Sequence, residues 1–183
     1  MQELSLNVMD VAQNSVVAEA TLIAITVAER DRSLKIEIQD NGHGMTEEQL
    51  QHVTDPFYTT RTTRKVGLGV PLFKMQAEMT GGTFEIRSKV GEGTKVTATF
   101  HTDHVDMIPI GDMESTILLL ITCNPDRDFV YFRSKEEKSF TLDTRELREV
   151  LGGDVPLNAP DVTQWIKAYL QENLDSIQGG TTL

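Results

Sequence analysis

Cysteine is almost absent. Cys123 stands alone among 183 residues, which excludes an internal disulfide and, with no Cys or His near it at ligand spacing, a metal centre built around it. It reads as a buried apolar filler. Long hydrophobic runs are missing too: the longest aliphatic stretch, 117-ILLLI-121, is far too short to cross a bilayer, and no basic, apolar leader opens the chain. These two absences make a cytoplasmic protein the expectation, with no membrane partner. Positive charge is scarce. With 17 Lys and Arg against 28 Asp and Glu, the formal charge is -11. That excludes a general nucleic-acid or anionic-membrane surface, since both need cations to neutralise phosphate, and leaves room only for a local basic site. No Gly-Lys pair occurs, so there is no Walker loop. The segment 67-GLG-69 lacks the third glycine of a Rossmann turn and follows a basic loop instead of a strand. His101 and His104 lie close in sequence, but no further ligands accompany them to complete a zinc site.

What is present describes an ordinary globular chain, 39% hydrophobic and 25% charged. A chain of this size buries roughly 70% of its unfolded surface. Residues 2 to 18 carry Leu4, Val8, Val11, Ala12, Ser15 and Val16 at helical spacing, with Asn7, Asp10 and Asn14 on the opposite, polar face. The run 22-LIAITVAERDRSLKIEIQD-40 predicts a hairpin around 29-ERDRS-33. Thr46 is placed to cap a short helix over 46 to 53. A basic, Thr-rich loop covers 58 to 67, and a helix over 68 to 79 stops at Gly81 and Gly82. Two alternating strands follow within 83 to 100. The pattern lapses over 101 to 113, which predicts a boundary between a first unit, 1 to 103, and an extension, 104 to 183. In that extension the expected elements are a helix over 114 to 122, strands over 128 to 134 and 138 to 143, and helices over 144 to 151 and 161 to 177. Trp165, Tyr169 and Leu170 of the last helix are expected in the core, because Trp and Tyr bury large areas. The chain as a whole predicts a two-layer α/β sandwich, with a mixed, mostly antiparallel sheet covered on one face by helices and a small α+β extension.

Five blocks, in order, resemble the ATP-binding domain of the GHKL superfamily, the histidine kinase-like ATPase or Bergerat fold. 10-DVAQNSVVAEATLIAITV-27 resembles the N box and its following strand, and 40-DNGHGM-45 the first glycine box. 55-DPFYTTR-61 resembles the F box, 67-GLGVPLFK-74 the second glycine box, and 91-GEGTKVTATF-100 the closing Gly-Thr block. The resemblance spans about residues 3 to 100 and implies binding of ATP with magnesium. It assigns Asn14 as the magnesium ligand and Asp40 as acceptor of the exocyclic amine of adenine, a contact that guanine, with a carbonyl there, would lose. Gly42 and Gly44 keep the turn free of side chains. Amides after Gly67 and Gly69 are donors for phosphate, and Arg61, Arg64 and Lys65 supply positive charge on the lid. Ala18, Met45, Phe57, Thr59, Thr60, Val66, Leu68, Val70 and Thr94 complete the nucleotide-binding set that the resemblance implies.

Asp10, one helical turn before Asn14, takes the position of the general base, although the anti-sigma-factor serine kinases normally have Glu there. A shorter carboxylate can still orient a water or hydroxyl nucleophile. The first block begins within ten residues of the first residue, so no helix bearing a phospho-accepting His is expected ahead of it, and the residues after Phe100 do not match the transducer of MutL-like enzymes. The expected function is that of a stand-alone regulatory kinase or slow ATPase of the histidine-kinase-like class, acting in signal transduction on a protein partner. A nucleotide-sensing module without turnover is the alternative. For the extension, a homodimer contact and a partner-docking module are the two functional readings.

Overall fold

In a computed structural model, which describes residues 2–55, 57 and 68–179, the expected elements form, most within a residue or two of their predicted bounds. Helix α1 spans Leu4–Val17 and turns Leu4, Val8, Val11 and Ala12 fully inward. Strands β1 (Leu22–Arg30) and β2 (Ser33–Asp40) form the hairpin around Asp31 and Arg32. Helix α2 (Glu47–His52) is opened by Thr46, whose hydroxyl accepts from the Gln49 amide while the Gln49 side chain accepts from the Thr46 amide, a reciprocal cap. Helix α3 (Gly69–Met79), strands β3 (Thr83–Lys89) and β4 (Gly93–His101) and helix α4 (Met113–Cys123) follow. Strands β5 (Asp128–Lys135) and β6 (Lys138–Asp143) lead to helices α5 (Thr144–Leu151) and α6 (Pro160–Gln178).

The strands make one six-stranded sheet in the order β3-β4-β2-β1-β5-β6. Only the β1–β5 pairing is parallel; the other four pairings are antiparallel. Sequence on either side of residue 104 therefore shares a sheet. It shares a core as well, where Phe73 and Phe100 join Ile117, Leu120, Ile166 and Leu170 in one buried cluster. The stretch from 102 to 112 is fastened at its end, since the amides of Leu4 and Ser5 donate to the carbonyls of Pro109 and Ile110.

Directly opposed residues in a sheet share a face, so the registers lay out rows across the covered side. One row runs Ile86, Val96, Ile38, Ile25, Tyr131, Leu142, and the next runs Phe84, Ala98, Ile36, Val27, Arg133, Phe140. Each fully buried aliphatic or aromatic side chain here contributes about 1.5 to 3 kcal/mol. Arg133 is the exception to the apolar pattern: buried at 3% exposure, it donates to Glu114 of α4 at 3.0 Å and to the Tyr131 hydroxyl at 3.3 Å, with Glu29 at 3.7 Å. Burial, reinforced by Glu114, pushes the Tyr131 hydroxyl far above its ordinary pKa.

Three expectations need correction. Cys123 is exposed: it is the last residue of α4, beyond the buried Ile117, Leu120 and Ile121. Asn7 does not share the solvated face of Asp10 but is buried. Trp165 is 49% exposed and stacked on Tyr169 with ring centroids 5.1 Å apart, while Leu170 of the same helix is in the core as expected.

Candidate functional site

A third row on the covered face runs Phe129, Ile23, Asp40, Thr94, Ser88. It begins apolar at β5 and ends polar at β3, and Asp40 sits at the change. In the alternation Leu34, Ile36, Ile38, Asp40 the acid holds the inward phase, so the strand carries a carboxylate onto the helix-covered side.

Among the described residues, three donors hold it. Ser15 of α1 donates its hydroxyl to Asp40 Oδ2 at 2.5 Å, while Oδ1 accepts from the Gly42 amide at 2.8 Å and the Thr94 amide at 3.3 Å. A carboxylate offers about four acceptor positions, so one is left on a half-buried group. The turn that follows is pressed against the end of α1. A Cβ on Gly42 would lie 2.7 Å from the Ala18 carbonyl oxygen, to which the His43 amide donates at 2.9 Å. Gly44 has φ +73, and a Cβ there would meet the Lys89 carbonyl oxygen at 2.1 Å, so only glycine fits. Met45 then docks through its amide on Ser88 Oγ at 2.8 Å, and Ser88 in turn lies 2.7 Å from Thr94 Oγ1.

The other end of α1 meets α3. Gly69, the first residue of that helix, packs so closely on Asp10 that a Cβ would sit 2.9 Å from the Asp10 Cβ. Leu68 precedes it without a side-chain cap, so among the described residues no side chain caps the first amides of α3, and Val70 is buried behind them. Asp10 is exposed, yet partial desolvation raises its carboxyl above the ordinary aspartate pKa. Asn14 is half-buried one turn further along the same face. A cleft of about 250 Å³ opens beside Asp10, lined also by Glu3, Asn7 and Leu72, and Asn7 Oδ1 is buried with no hydrogen-bond partner among the described residues.

Asp10, Asn14, Ala18, Asp40, Gly42, Gly44, Met45, Leu68, Gly69, Val70 and Thr94 thus all lie along α1 or on the segments that pack around it. Phe57 is placed but 90% exposed, its amide donating to Asp55 Oδ1 at 2.9 Å. Thr59, Thr60, Arg61, Arg64, Lys65, Val66 and Gly67 lie outside the described residues. Ser15 and Ser88 border the candidate site; the sequence reading set Ser15 in the inward stripe of its helix without a site role and did not single out Ser88. Each is a small hydroxyl on an otherwise apolar inward phase, Leu4-Val8-Val11-Ala12-Ser15 in one case and Phe84-Ile86-Ser88 in the other, and that mismatch was the available signal. Among the described residues no group of three or more His, Cys, Asp or Glu side chains is placed to hold a metal ion. The donor set suits magnesium all the same, since that ion keeps several waters, takes one or two protein oxygens and shares the phosphates.

Residues 1–104 match the family of histidine kinase-, DNA gyrase B- and HSP90-like ATPases. Sporulation kinase D of Bacillus subtilis is 34% identical over 94 residues, which is 50% of this chain and 18% of the kinase. The sensor protein SrrB of Staphylococcus aureus is 42% identical over 77 residues, 39% of this chain and 13% of that protein. The chain therefore spans less than a fifth of the length of these relatives. A crystal structure of the N-terminal domain of a DNA repair protein superposes with a TM-score of 0.58 over 84% of this chain and 58% of that one, at 13% identity, a likeness of fold alone.

Proposed function

Since the chain belongs to the histidine kinase-, DNA gyrase B- and HSP90-like ATPase family, whose domain implies ATP binding, we propose that it is a magnesium-dependent regulatory kinase or slow ATPase that works with a protein partner. The observation that carries this reading is the state of Asp40. Three of its acceptor positions are filled by Ser15, Gly42 and Thr94, and the one that remains suits an amine donor such as the N6 group of adenine.

The phosphates would then run along α1 towards the first amides of α3, with Arg61, Arg64 and Lys65 as the sequence's candidates for neutralising them. Magnesium held through the Asn14 amide would supply neutralisation of phosphate charge. Asp10 is one turn from Asn14 and, with Glu3, Asn7 and Leu72, lines a cleft in which a substrate hydroxyl or water would stand beside its carboxylate. Desolvation raises the proton affinity of that carboxylate, which favours its acting as a base on the nucleophile.

The test is titration calorimetry combined with a labelled-phosphate assay. ATP should bind more tightly than GTP. Asp40→Asn should weaken ATP by about 1.5 to 3 kcal/mol, the range for a hydrogen bond to a charged group. Asn14→Ala should weaken Mg-ATP far more than adenosine. Label from the terminal phosphate should reach a partner or water with the parent and not with Asp10→Asn. Equal binding of GTP, or an Asp40→Asn variant as tight as the parent, overturns the reading. ATP binding without any transfer, alone or in lysate, leaves a nucleotide sensor instead.

A further inference from the structure

On the other side of β1 from the nucleotide candidate, at the β6 edge, α5 and α6 leave a groove between them. Its volume is about 460 Å³, within the range of ligand-sized clefts. Leu147, Val150 and Leu151 of α5 line one wall and Val162, Trp165 and Tyr169 of α6 the other. It is apolar but not closed: Val150 is 83% exposed and Trp165 49%. Trp165 is held in place by its stack on Tyr169, whose hydroxyl donates to the Thr141 carbonyl at 2.7 Å. A preset aromatic wall of this kind loses little freedom when it is covered.

Charge decides what covers it. Residues 141 to 179 hold seven acids and three bases. Two of the bases are already engaged, Arg145 with Asp143 at 2.8 Å and Arg148 with Asp128 at 2.8 Å. Glu146 and Asp161, which line the groove, enter no salt bridge among the described residues. A second copy of the chain would bring the same acids against these, since a two-fold contact sets a patch against itself. We propose that this groove docks a basic amphipathic segment of a partner protein, with an apolar side chain seated between Val150 and Trp165 and Lys or Arg on Glu146 and Asp161. This is the helix-in-groove mode of recognition. It lies apart from the ATP reading, and either can fail alone.

Trp165 is the only tryptophan, so its emission reports on the groove. The probe is a synthetic amphipathic helix of leucine and lysine, compared with the same helix carrying glutamate for lysine. The lysine helix should bind and shift Trp165 emission to the blue; the glutamate helix should not. Val150→Asp makes the protein still more negative, so diffuse attraction of a cation would be unchanged or stronger. Seating in the groove should instead weaken by about tenfold or more, since an exposed apolar contact is replaced by a charge. Glu146→Lys with Asp161→Lys should reverse the preference between the helices, and unchanged circular dichroism melts show that the fold is kept. The proposal is overturned if the lysine helix leaves Trp165 unmoved, if Val150→Asp binds it as tightly as the parent, or if sedimentation shows a dimer of the parent that Val150→Asp dissolves, because then a second copy fills the groove.

Discussion

Replacing Gly42 by Ala tests how tightly the first glycine turn is locked to α1. The added Cβ would lie 2.7 Å from the Ala18 carbonyl oxygen, 2.8 Å from the Ala18 Cβ and 3.1 Å from Asp40 Oδ1. The first two belong to the backbone or to a Cβ and cannot rotate away, so the turn or the end of α1 must move. Moving the Ala18 carbonyl also strains the bond it accepts from the His43 amide at 2.9 Å. Overpacking of this kind costs about 1 to 3 kcal/mol and a weakened hydrogen bond about 1 more, so the variant should lose about 2 to 4 kcal/mol. For a chain of this size that lowers Tm by roughly 5 to 15 °C. Ala18→Gly removes one of the two obstacles and leaves the carbonyl. The double variant should therefore recover part of the loss, with a coupling of about 1 kcal/mol between the sites. Denaturant unfolding of the parent, both single variants and the double one completes the cycle, and calorimetry with ATP follows the effect on Asp40. A Gly42→Ala protein as stable as the parent, or strict additivity with Ala18→Gly, refutes the packing described for this turn.

Two further outcomes follow from groups at opposite sides of β1. The Asp10 pKa is raised, so its contribution to stability is present below the ordinary aspartate value of 3.8 and is lost as pH rises through the folded value; Asp10→Asn should thus melt above the parent at neutral pH and level with it in acid, as thermal scans at both pH values will show. Arg133→Met should cost about 3 to 5 kcal/mol in denaturant unfolding because it strands the buried Glu114 carboxylate with only the Tyr131 hydroxyl, and adding Glu114→Leu should restore most of it.

Much of this molecule was legible in its sequence because the periodic signals were local. Alternation in 22-LIAITVAERDRSLKIEIQD-40 gives both strands and their turn, and Thr46 and Pro160 mark helix starts where those residues favour them. The order of glycine-punctuated blocks was also readable, since each block needs its residue types within a few positions. What was not readable depends on pairing between distant segments. Nothing in 128-DFVYFRS-134 says that it lies parallel to β1 and carries the sheet on past residue 104. Nothing in α1 alone says that Ser15 meets an acid 25 positions away. Trp165 was misplaced because its size argues for burial, while its actual burial depends on how far α5 stands from α6.

The position of Asp40 separates two tasks along α1. Its three hydrogen-bond donors come from a helix, a turn and a neighbouring strand, so the acid is fixed by parts that also hold the core together. On the proposed reading, an acceptor fixed in this way does not reorganise when a base arrives, and affinity and discrimination between amine and carbonyl then depend on the rigid sheet. Asp10, eight residues before Ala18, is instead in contact with the first turn of α3. On the proposed reading, substitutions around Asp40 change how tightly the nucleotide is held, and those around Asp10 and Gly69 change whether its terminal phosphate moves. Tight binding with lost turnover should therefore be reachable by a single substitution at Asp10, whereas no substitution at Asp40 should give turnover at parental rate with parental affinity.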